Sequence, residues 1–160
     1  MDDGGWIHTS SLTDGHTQDP TVVAQLLEAV DRPLERFIAD GMYDNATVYD
    51  ALADHQDGVA IDIVVPPRRN ASPSQTAWST PTQRDQHLAA IQSEGIFEWR
   101  RASGYYAQSH VENAFSRYKA MFGGHLRSKN VESQQREALM GCDILNGLGA
   151  LGQPTSVPIS

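Results

Sequence analysis

The sequence predicts an α/β fold in which helices flank a mixed sheet. Of the 160 residues, 39% are hydrophobic and 20% are charged, which is the composition of an ordinary globular domain. Short runs rich in β-branched residues alternate with segments whose apolar residues recur every three or four positions. The resulting order of strand, helix, strand, helix and strand is typical of an α/β layer.

The first half of the chain supplies the three predicted strands and the two helices between them. Helix-start residues, prolines and glycines mark the boundaries of these elements. In order, they are a strand at residues 6–12, a turn at 13–16, a helix from 19 that ends before Pro33, a strand at 34–39, a helix from Asp44 or Asn45 to 55, and a strand at 59–65.

The second half is predicted to be mostly helical. Residues 66–82 are rich in Pro, Ser, Thr, Asn and Gln and predict a long mobile loop. The later elements are a helix at 82–94, an ambiguous segment at 96–101, an amphipathic helix at 108–122 and a helix at 131–148. We expect one domain over residues 1–150, with an inserted loop and helix segment at 66–104, and a flexible tail at 151–160.

Composition also limits the kind of protein and its location. No apolar run approaches the roughly 20 residues that cross a bilayer, so we expect no membrane contact and a cytoplasmic protein. Cys142 is the sole cysteine, which excludes an internal disulfide and a cysteine-based zinc site. The expected role of Cys142 is that of a small buried hydrophobic residue.

Charge is distributed unevenly along the chain. The net charge of −8 argues against a simple nucleic-acid-binding module, because affinity for phosphate backbones comes mostly from lysine and arginine. Residues 100–129, however, contain six basic residues and a single acid, Glu112. This basic segment is either a solvated helix face or a surface that contacts a polyanion.

The first candidate site is Asp40, which follows the predicted strand at 34–39. Gly41 allows a sharp turn after the strand, so Asp40 can point out of the sheet edge where open α/β sheets bind ligands. Taken alone, an Asp-Gly pair after a strand is also an ordinary turn. Asp44 is expected to cap the following helix.

The second candidate site is the segment from Tyr105 to Lys119. Seven residues make almost two helical turns, so Glu112 and Lys119 share a helix face, with Gln108 one turn before the glutamate. A carboxylate there can hold a metal ion while the basic neighbours Arg117 and Lys119 hold a phosphate backbone. An exposed helix glutamate with no function fits the same pattern.

Together the two segments resemble the DDE transposases of bacterial insertion sequences. In that family the second catalytic acid follows a strand in an Asp-Gly-x-Tyr-type motif, which matches Asp40, Gly41 and Tyr43. Similar stretches cover nearly the whole chain and include residues 12–16, 64–69, 82–85, 103–105 and 143–146.

The third acid of the family lies in a Tyr-x2-Arg-x3-Glu-x6-Lys signature. Tyr105, Glu112 and Lys119 have the same spacing here. Gln108 stands at the position of the usual arginine, which keeps hydrogen bonding but loses charge and bidentate phosphate contact.

The resemblance implies an RNase H-like fold whose sheet gathers three acids around Mg2+ or Mn2+. Asp40 and Glu112 would be catalytic metal ligands in DNA strand cleavage and transfer. The residues implied to bind DNA are Tyr105, Gln108, Arg117 and Lys119. The implied partners are the DNA of the transposon ends, together with a transposase partner or a second copy of the chain.

The first acid of the family lies on a strand that precedes residues 6–12, and nothing in this sequence matches it. We therefore expect an incomplete domain whose first strands are missing and which is inactive alone. The alternative is a non-enzymatic transposon remnant that at most binds DNA or a full-length transposase. Trp78 and Trp99 lie in the predicted insertion, where we expect core packing or loop anchoring rather than stacking on a base.

Overall fold

The computed structural model describes residues 1–2, 5–13, 19–55 and 59–152. The chain divides into two compact units. We call Thr13–Ser109 the sheet unit, and Met1–Leu12 together with His110–Ser160 the helical unit. Most of the predicted turn at 13–16 and the tail from 153 lie outside the described residues. The domain boundaries expected from the sequence stay predictions.

The described part of the sheet unit alternates helices and strands in the predicted order. Its elements are α1 (Val23–Glu28), β1 (Arg36–Ile38), α2 (Ala46–His55), β2 (Asp62–Val64), α3 (Gln83–Glu94) and α4 (Ile96–Ala102). The strands predicted at 34–39 and 59–65 are therefore confirmed in shorter form. The ambiguous segment at 96–101 is helical, and residues 66–82 contain neither helix nor strand.

The two strands pair in parallel, with Phe37 opposite Ile63. Backbone hydrogen bonds also join β2 to the residues on either side of β1. The Asp62 amide donates to the Glu35 carbonyl, and the Ala39 amide donates to the Val64 carbonyl. Within the described residues the sheet is two-stranded and parallel. The prediction of a larger mixed sheet is not met there.

Apolar residues from α1, α2 and both strands make the core of the sheet unit. Val48 and Val65 are fully buried, and Leu52 is 1% exposed. The helical spacing in α2 places its buried residues on the face towards the core, as the sequence predicts. The buried core members are Val23, Leu27, Ala39, Val48, Leu52, Ile61, Ile63 and Val65.

Side chains of α3 form hydrogen bonds with the backbone of β2, along the edge of that strand that does not face β1. Gln83 donates to the Ile61 carbonyl at 2.7 Å and accepts from the Ile63 amide at 2.8 Å. The His87 Nε2 atom lies 2.7 Å from the Ile63 carbonyl. Side chains thus satisfy backbone groups that a third strand would otherwise pair, which protects this edge from association.

The described part of the helical unit contains α5 (Gln108–Phe122, which begins at the unit boundary) and α6 (Val131–Leu151). Both helices are confirmed, and α5 has the predicted bounds. The Asn130 side chain caps α6 by accepting from the Ser133 amide. Cys142 is buried, as expected. Among the residues that the structure describes, no helix combines the length and the apolar character needed to cross a membrane.

The strand predicted at residues 6–12 is wrong, because this segment is irregular and pairs with no strand among the described residues. Side-chain amides of α6 take the place of one. The buried Asn146 accepts from the Ile7 amide and donates to the Ile7 carbonyl, both at 2.8 Å. In the same way, the Gln135 side chain accepts from the Leu12 amide and donates to the Ser10 carbonyl. Strand-forming composition therefore leads to a segment docked on a helix.

Helices α5 and α6 approach each other closely at Gly141. A Cβ atom at this position would lie 2.5 Å from Cε2 and 2.9 Å from the hydroxyl oxygen of Tyr118, so the ring would have to shift. We therefore expect Gly141→Ala to lower the free energy of unfolding by about 1–3 kcal/mol, the usual cost of overpacking. Chemical denaturation measures this change.

Gly147→Ala is the matched control for that experiment. Gly147 lies in the same helix and has nothing within 4 Å of an added Cβ. Alanine should raise stability there by about 0.5–1 kcal/mol, because glycine is a poor helix former. Equal effects of the two substitutions would contradict the close approach of Tyr118 to Gly141.

Candidate functional site

Asp40 lies two residues after the last residue of β1 and is exposed at the carboxyl end of that strand. Its backbone is extended, and its side chain caps the short 3-10 helix Gly41–Tyr43. The Oδ1 atom accepts from the Met42 amide at 2.8 Å. One oxygen thus fixes the carboxylate, and the described residues place no hydrogen-bond donor on the other. This location agrees with the position predicted from the sequence.

Glycine is favoured at position 41 for a reason that the sequence did not indicate. Its φ angle is not positive, so the turn itself does not need glycine. A Cβ at Gly41 would lie 3.1 Å from the Pro66 carbonyl oxygen. Glycine therefore lets the end of β1 approach the segment that leaves β2.

Asp44 is a buried ion-pair partner rather than the helix cap that the sequence suggested. Its side chain is 1% exposed and accepts from Nε and Nη2 of Arg84 at 2.6 and 3.1 Å. Its second oxygen also accepts from the Arg68 amide at 2.9 Å. The capping position belongs to Asn45, which accepts from the amide and hydroxyl of Thr47.

The pKa of Asp44 reflects this environment. Burial raises it, but hydrogen bonds from the Arg84 guanidinium and the Arg68 amide, together with the charge of Arg84, outweigh burial. The net result is a pKa below the ordinary aspartate value. Arg84 also donates to the Ser72 carbonyl, so the pair ties the loop after β2 to the start of α2.

A cavity of about 700 Å3 opens beside Asp40. Its polar lining includes one aspartate and three arginines, and α3 and α4 provide apolar side chains. The charged members are Asp40, Arg68, Arg69 and Arg100. The lining is therefore cationic despite the acidic overall composition of the chain.

Tyr105 lies in a short 3-10 helix, next to two side chains of α4. Its ring centroid is 5.5 Å from that of Trp99, and the guanidinium carbon of Arg100 lies 5.6 Å above the ring. Trp99 is 2% exposed and donates its indole N–H to His87 Nδ1 at 3.0 Å. The core role expected for Trp99 is confirmed. Trp78 is 99% exposed, which excludes core packing for that residue.

The remaining residues of the second motif lie on α5. Gln108 is half-buried, whereas Glu112 and Arg117 are exposed. Lys119 is also exposed and has its ammonium group 5.7 Å from the centroid of the Phe115 ring. Glu112, Arg117 and Lys119 belong to the helical unit, whereas Asp40 belongs to the sheet unit. The convergence of Asp40 and Glu112 on one metal ion stays a prediction.

Comparison with known families places these motifs in context. The family model for the transposase DDE domain matches residues 1–146. The chain belongs to this family. The match extends through both the sheet unit and the helical unit, so it includes each of the two candidate motifs. No solved structure matches the chain.

Transposases of the DDE family use divalent metal ions, and the acids of this chain offer suitable ligand atoms. Exposed carboxylate oxygens are the hard ligands that Mg2+ and Mn2+ prefer. Among the described residues, no three histidine, cysteine, aspartate or glutamate side chains are placed so that they could hold a metal ion together. The donor chemistry therefore fits a metal ion, but the described sheet unit does not complete a metal site by itself.

Asp85 holds the loop before α3 and makes the stability of the sheet unit sensitive to acid. It accepts from the amide and hydroxyl of both Ser74 and Thr82, and these bonds lower its pKa well below the ordinary value. A lowered pKa stabilises the folded protein above the unfolded pKa of about 4 and ceases to do so as pH falls towards the folded pKa.

We therefore expect stability to fall as pH is lowered below about 4. The Asp85→Asn variant should lose less stability over that interval than the wild type, although it is less stable at neutral pH. Thermal unfolding at a series of pH values measures both effects. Asp54→Asn, at an exposed position of α2, is the control and should follow the wild type. Parallel curves for all three proteins would contradict this role of Asp85.

Proposed function

We propose that the chain carries part of the catalytic centre of a DDE transposase with an RNase H-like fold. The reaction is metal-dependent cleavage and transfer of DNA strands. The observation that carries the proposal is the exposed Asp40 at the carboxyl end of a parallel strand, beside a cationic cavity. A carboxylate and a phosphate repel each other unless a cation lies between them, which a metal ion would provide. The nearby arginines favour binding of the negatively charged DNA backbone.

Asp40 and Glu112 are the proposed metal ligands. When bound, Mg2+ or Mn2+ would act as a Lewis acid on the scissile phosphodiester. The Met42 amide donates to one oxygen of the Asp40 carboxylate, and the other oxygen is left for the metal ion. A fixed ligand matters because phosphoryl transfer depends chiefly on positioning and electrostatics.

The proposed DNA contacts are Tyr105, Gln108, Arg117 and Lys119. Arg117 and Lys119 are exposed cations suited to backbone phosphates. Tyr105 is held by Trp99 and Arg100, so its ring has a defined place near the cavity-lining helix α4. Gln108 can donate a hydrogen bond but brings no charge, so we expect a weaker phosphate contact than the usual arginine gives.

A non-catalytic role is the second candidate. In this role the cavity arginines and the basic residues of α5 would bind DNA, which does not require a complete set of acids. The protein would then be a transposon remnant that contacts DNA or a full-length transposase.

Strand cleavage distinguishes the two candidates. The substrate is DNA that carries the terminal repeats flanking the gene, with Mn2+, Mg2+ or a chelator. The chain is assayed alone and joined to the residues encoded immediately upstream. We expect metal-dependent nicks at the repeat ends from the extended protein and none from the chain alone. Binding without cleavage in both forms would favour the non-catalytic role.

A further inference from the structure

Six of the seven arginines of the sheet unit fall into two classes. Arg36, Arg84 and Arg101 each have a carboxylate partner, namely Asp62, Asp44 and Glu98. Arg68, Arg69 and Arg100 have no such partner within the described residues, and all three line the cavity beside Asp40. With three arginines and one aspartate, the cavity lining has a net charge of 3 − 1 = +2, which favours an external anion.

The surroundings of two cavity arginines, Arg68 and Arg100, limit their positions. The Arg68 amide is bonded to Asp44, and the Arg68 guanidinium lies 3.4 Å from the Met42 carbonyl. Arg100 stacks over Tyr105, and its Nε atom is buried with no hydrogen-bond partner in the described structure. An oxyanion in the cavity would give these guanidinium groups a charged partner. Its bonds to Arg100 would cost little side-chain order, because Tyr105 already limits the position of that residue.

The cavity also has an apolar wall, which a simple anion would leave uncovered. Leu88 and Ile91 of α3 and Ile96 of α4 contribute to this wall. The volume of about 700 Å3 lies within the usual range of about 300–1,000 Å3 for small-molecule sites. A ligand with one anionic part and one flat apolar part matches both walls.

We propose that this cavity binds one nucleotide of a DNA strand, with its phosphodiester on Arg68, Arg69 and Arg100 and its base on the apolar wall. The assignment rests on the proposed function for its ligand class, and it adds three contact residues outside the two family motifs. Asp40, the acid of the lining, would hold the metal ion next to this phosphate.

The test is binding of a fluorescent single-stranded oligonucleotide to the full 160-residue chain in the presence of a chelator. Arg100→Gln and Arg69→Gln should each weaken binding about tenfold, as expected for one charge-assisted contact. Each should also reduce the slope of log affinity against log salt by about 0.7. Arg101→Gln is the matched control, because Arg101 is the neighbour of Arg100, pairs with Glu98 and lies outside the cavity lining.

Two further ligands separate a nucleotide site from a general anion site. An oligonucleotide with abasic positions should bind more weakly than the intact strand, since it leaves the apolar wall uncovered. Inorganic phosphate should compete poorly. Equal losses for the Arg100 and Arg101 variants, or phosphate competing as well as the oligonucleotide, would overturn the proposal. Arg69 is exposed on a loop, so its variant keeps the test valid if Arg100→Gln unfolds the protein.

Binding without metal separates this inference from the catalytic proposal. In a chelator, Asp40→Asn should strengthen oligonucleotide binding, because it removes a negative charge next to the phosphate. Arginine-dependent binding without cleavage by any form of the protein would defeat the catalytic proposal alone. If the Arg69 and Arg100 variants cleave DNA as fast as the wild type, the proposed nucleotide site is wrong and the catalytic proposal still stands.

Discussion

Asp44→Asn is expected to lower the free energy of unfolding by about 3 kcal/mol, the lower end of the cost of breaking a buried ion pair. Asparagine keeps the shape but leaves the charge of Arg84 without its partner. The expected loss of stability is at the lower end of that range because the Arg84 side chain is 28% exposed, so water can solvate part of its charge. Urea unfolding at neutral pH measures the loss.

The same substitution should loosen the loop that carries the cavity arginines. Asp44 accepts from the Arg68 amide, and its partner Arg84 holds the Ser72 carbonyl. Hydrogen exchange at residues 68–72 should therefore increase more than exchange within β1.

Asp62→Asn provides the matched control, since Arg36 and Asp62 form an exposed ion pair of the same chemistry. Exposed pairs contribute about 0–1 kcal/mol, so the control should change stability little. Similar small losses for both variants would show that the pair of Asp44 and Arg84 is not buried in solution.

The elements that could be predicted from sequence are those whose signal is local. The apolar residues of α5 recur every three or four positions, and its predicted and observed bounds agree. The strand before Asp40 was predicted because an apolar run ends at an acid and a glycine, and the structure places Asp40 after β1. Local patterns suffice where neighbouring residues determine both the element and its end.

The incorrect predictions involve partners that are distant in sequence. Residues 6–12 have strand-like composition, but their backbone pairs with Asn146 and Gln135, more than 120 positions away. Asp44 looked like a helix cap because the helix start is nearby, whereas its ion-pair partner Arg84 is 40 positions away. The spacing of residues along the sequence does not indicate contacts between distant positions, because these contacts form only when the tertiary structure brings the positions together.

The cavity arginines were missed for a related reason. The basic segment predicted from charge includes Arg100 but neither Arg68 nor Arg69. The loop after β2 brings those two residues to the cavity that α4 also lines. A charge count along the chain finds helix faces and basic runs, but it does not find a site assembled from separate segments.

Asp40→Asn and Glu112→Gln are each expected to lower the rate of metal-dependent strand cleavage by about a thousandfold or more in the active form of the protein. Each substitution replaces a charged metal ligand with a neutral amide of the same size. The fold should persist, because an asparagine at position 40 can still accept from the Met42 amide through its side-chain oxygen. Single-turnover cleavage and thermal unfolding measure the two properties separately.

The double variant decides whether the two acids act together. If Asp40 and Glu112 hold the same metal ion, removing the second acid should cost little more than removing the first, as for other residues that act as a unit. Asp54→Asn and Glu132→Gln replace exposed acids on α2 and α6 and should leave the rate unchanged. Independent and additive losses would contradict a shared metal ion, and a loss below tenfold for Glu112→Gln would remove α5 from the catalytic centre. Because Asp40 and Glu112 lie in different units of the chain, a non-additive result would also be direct evidence that the two units meet at the catalytic centre.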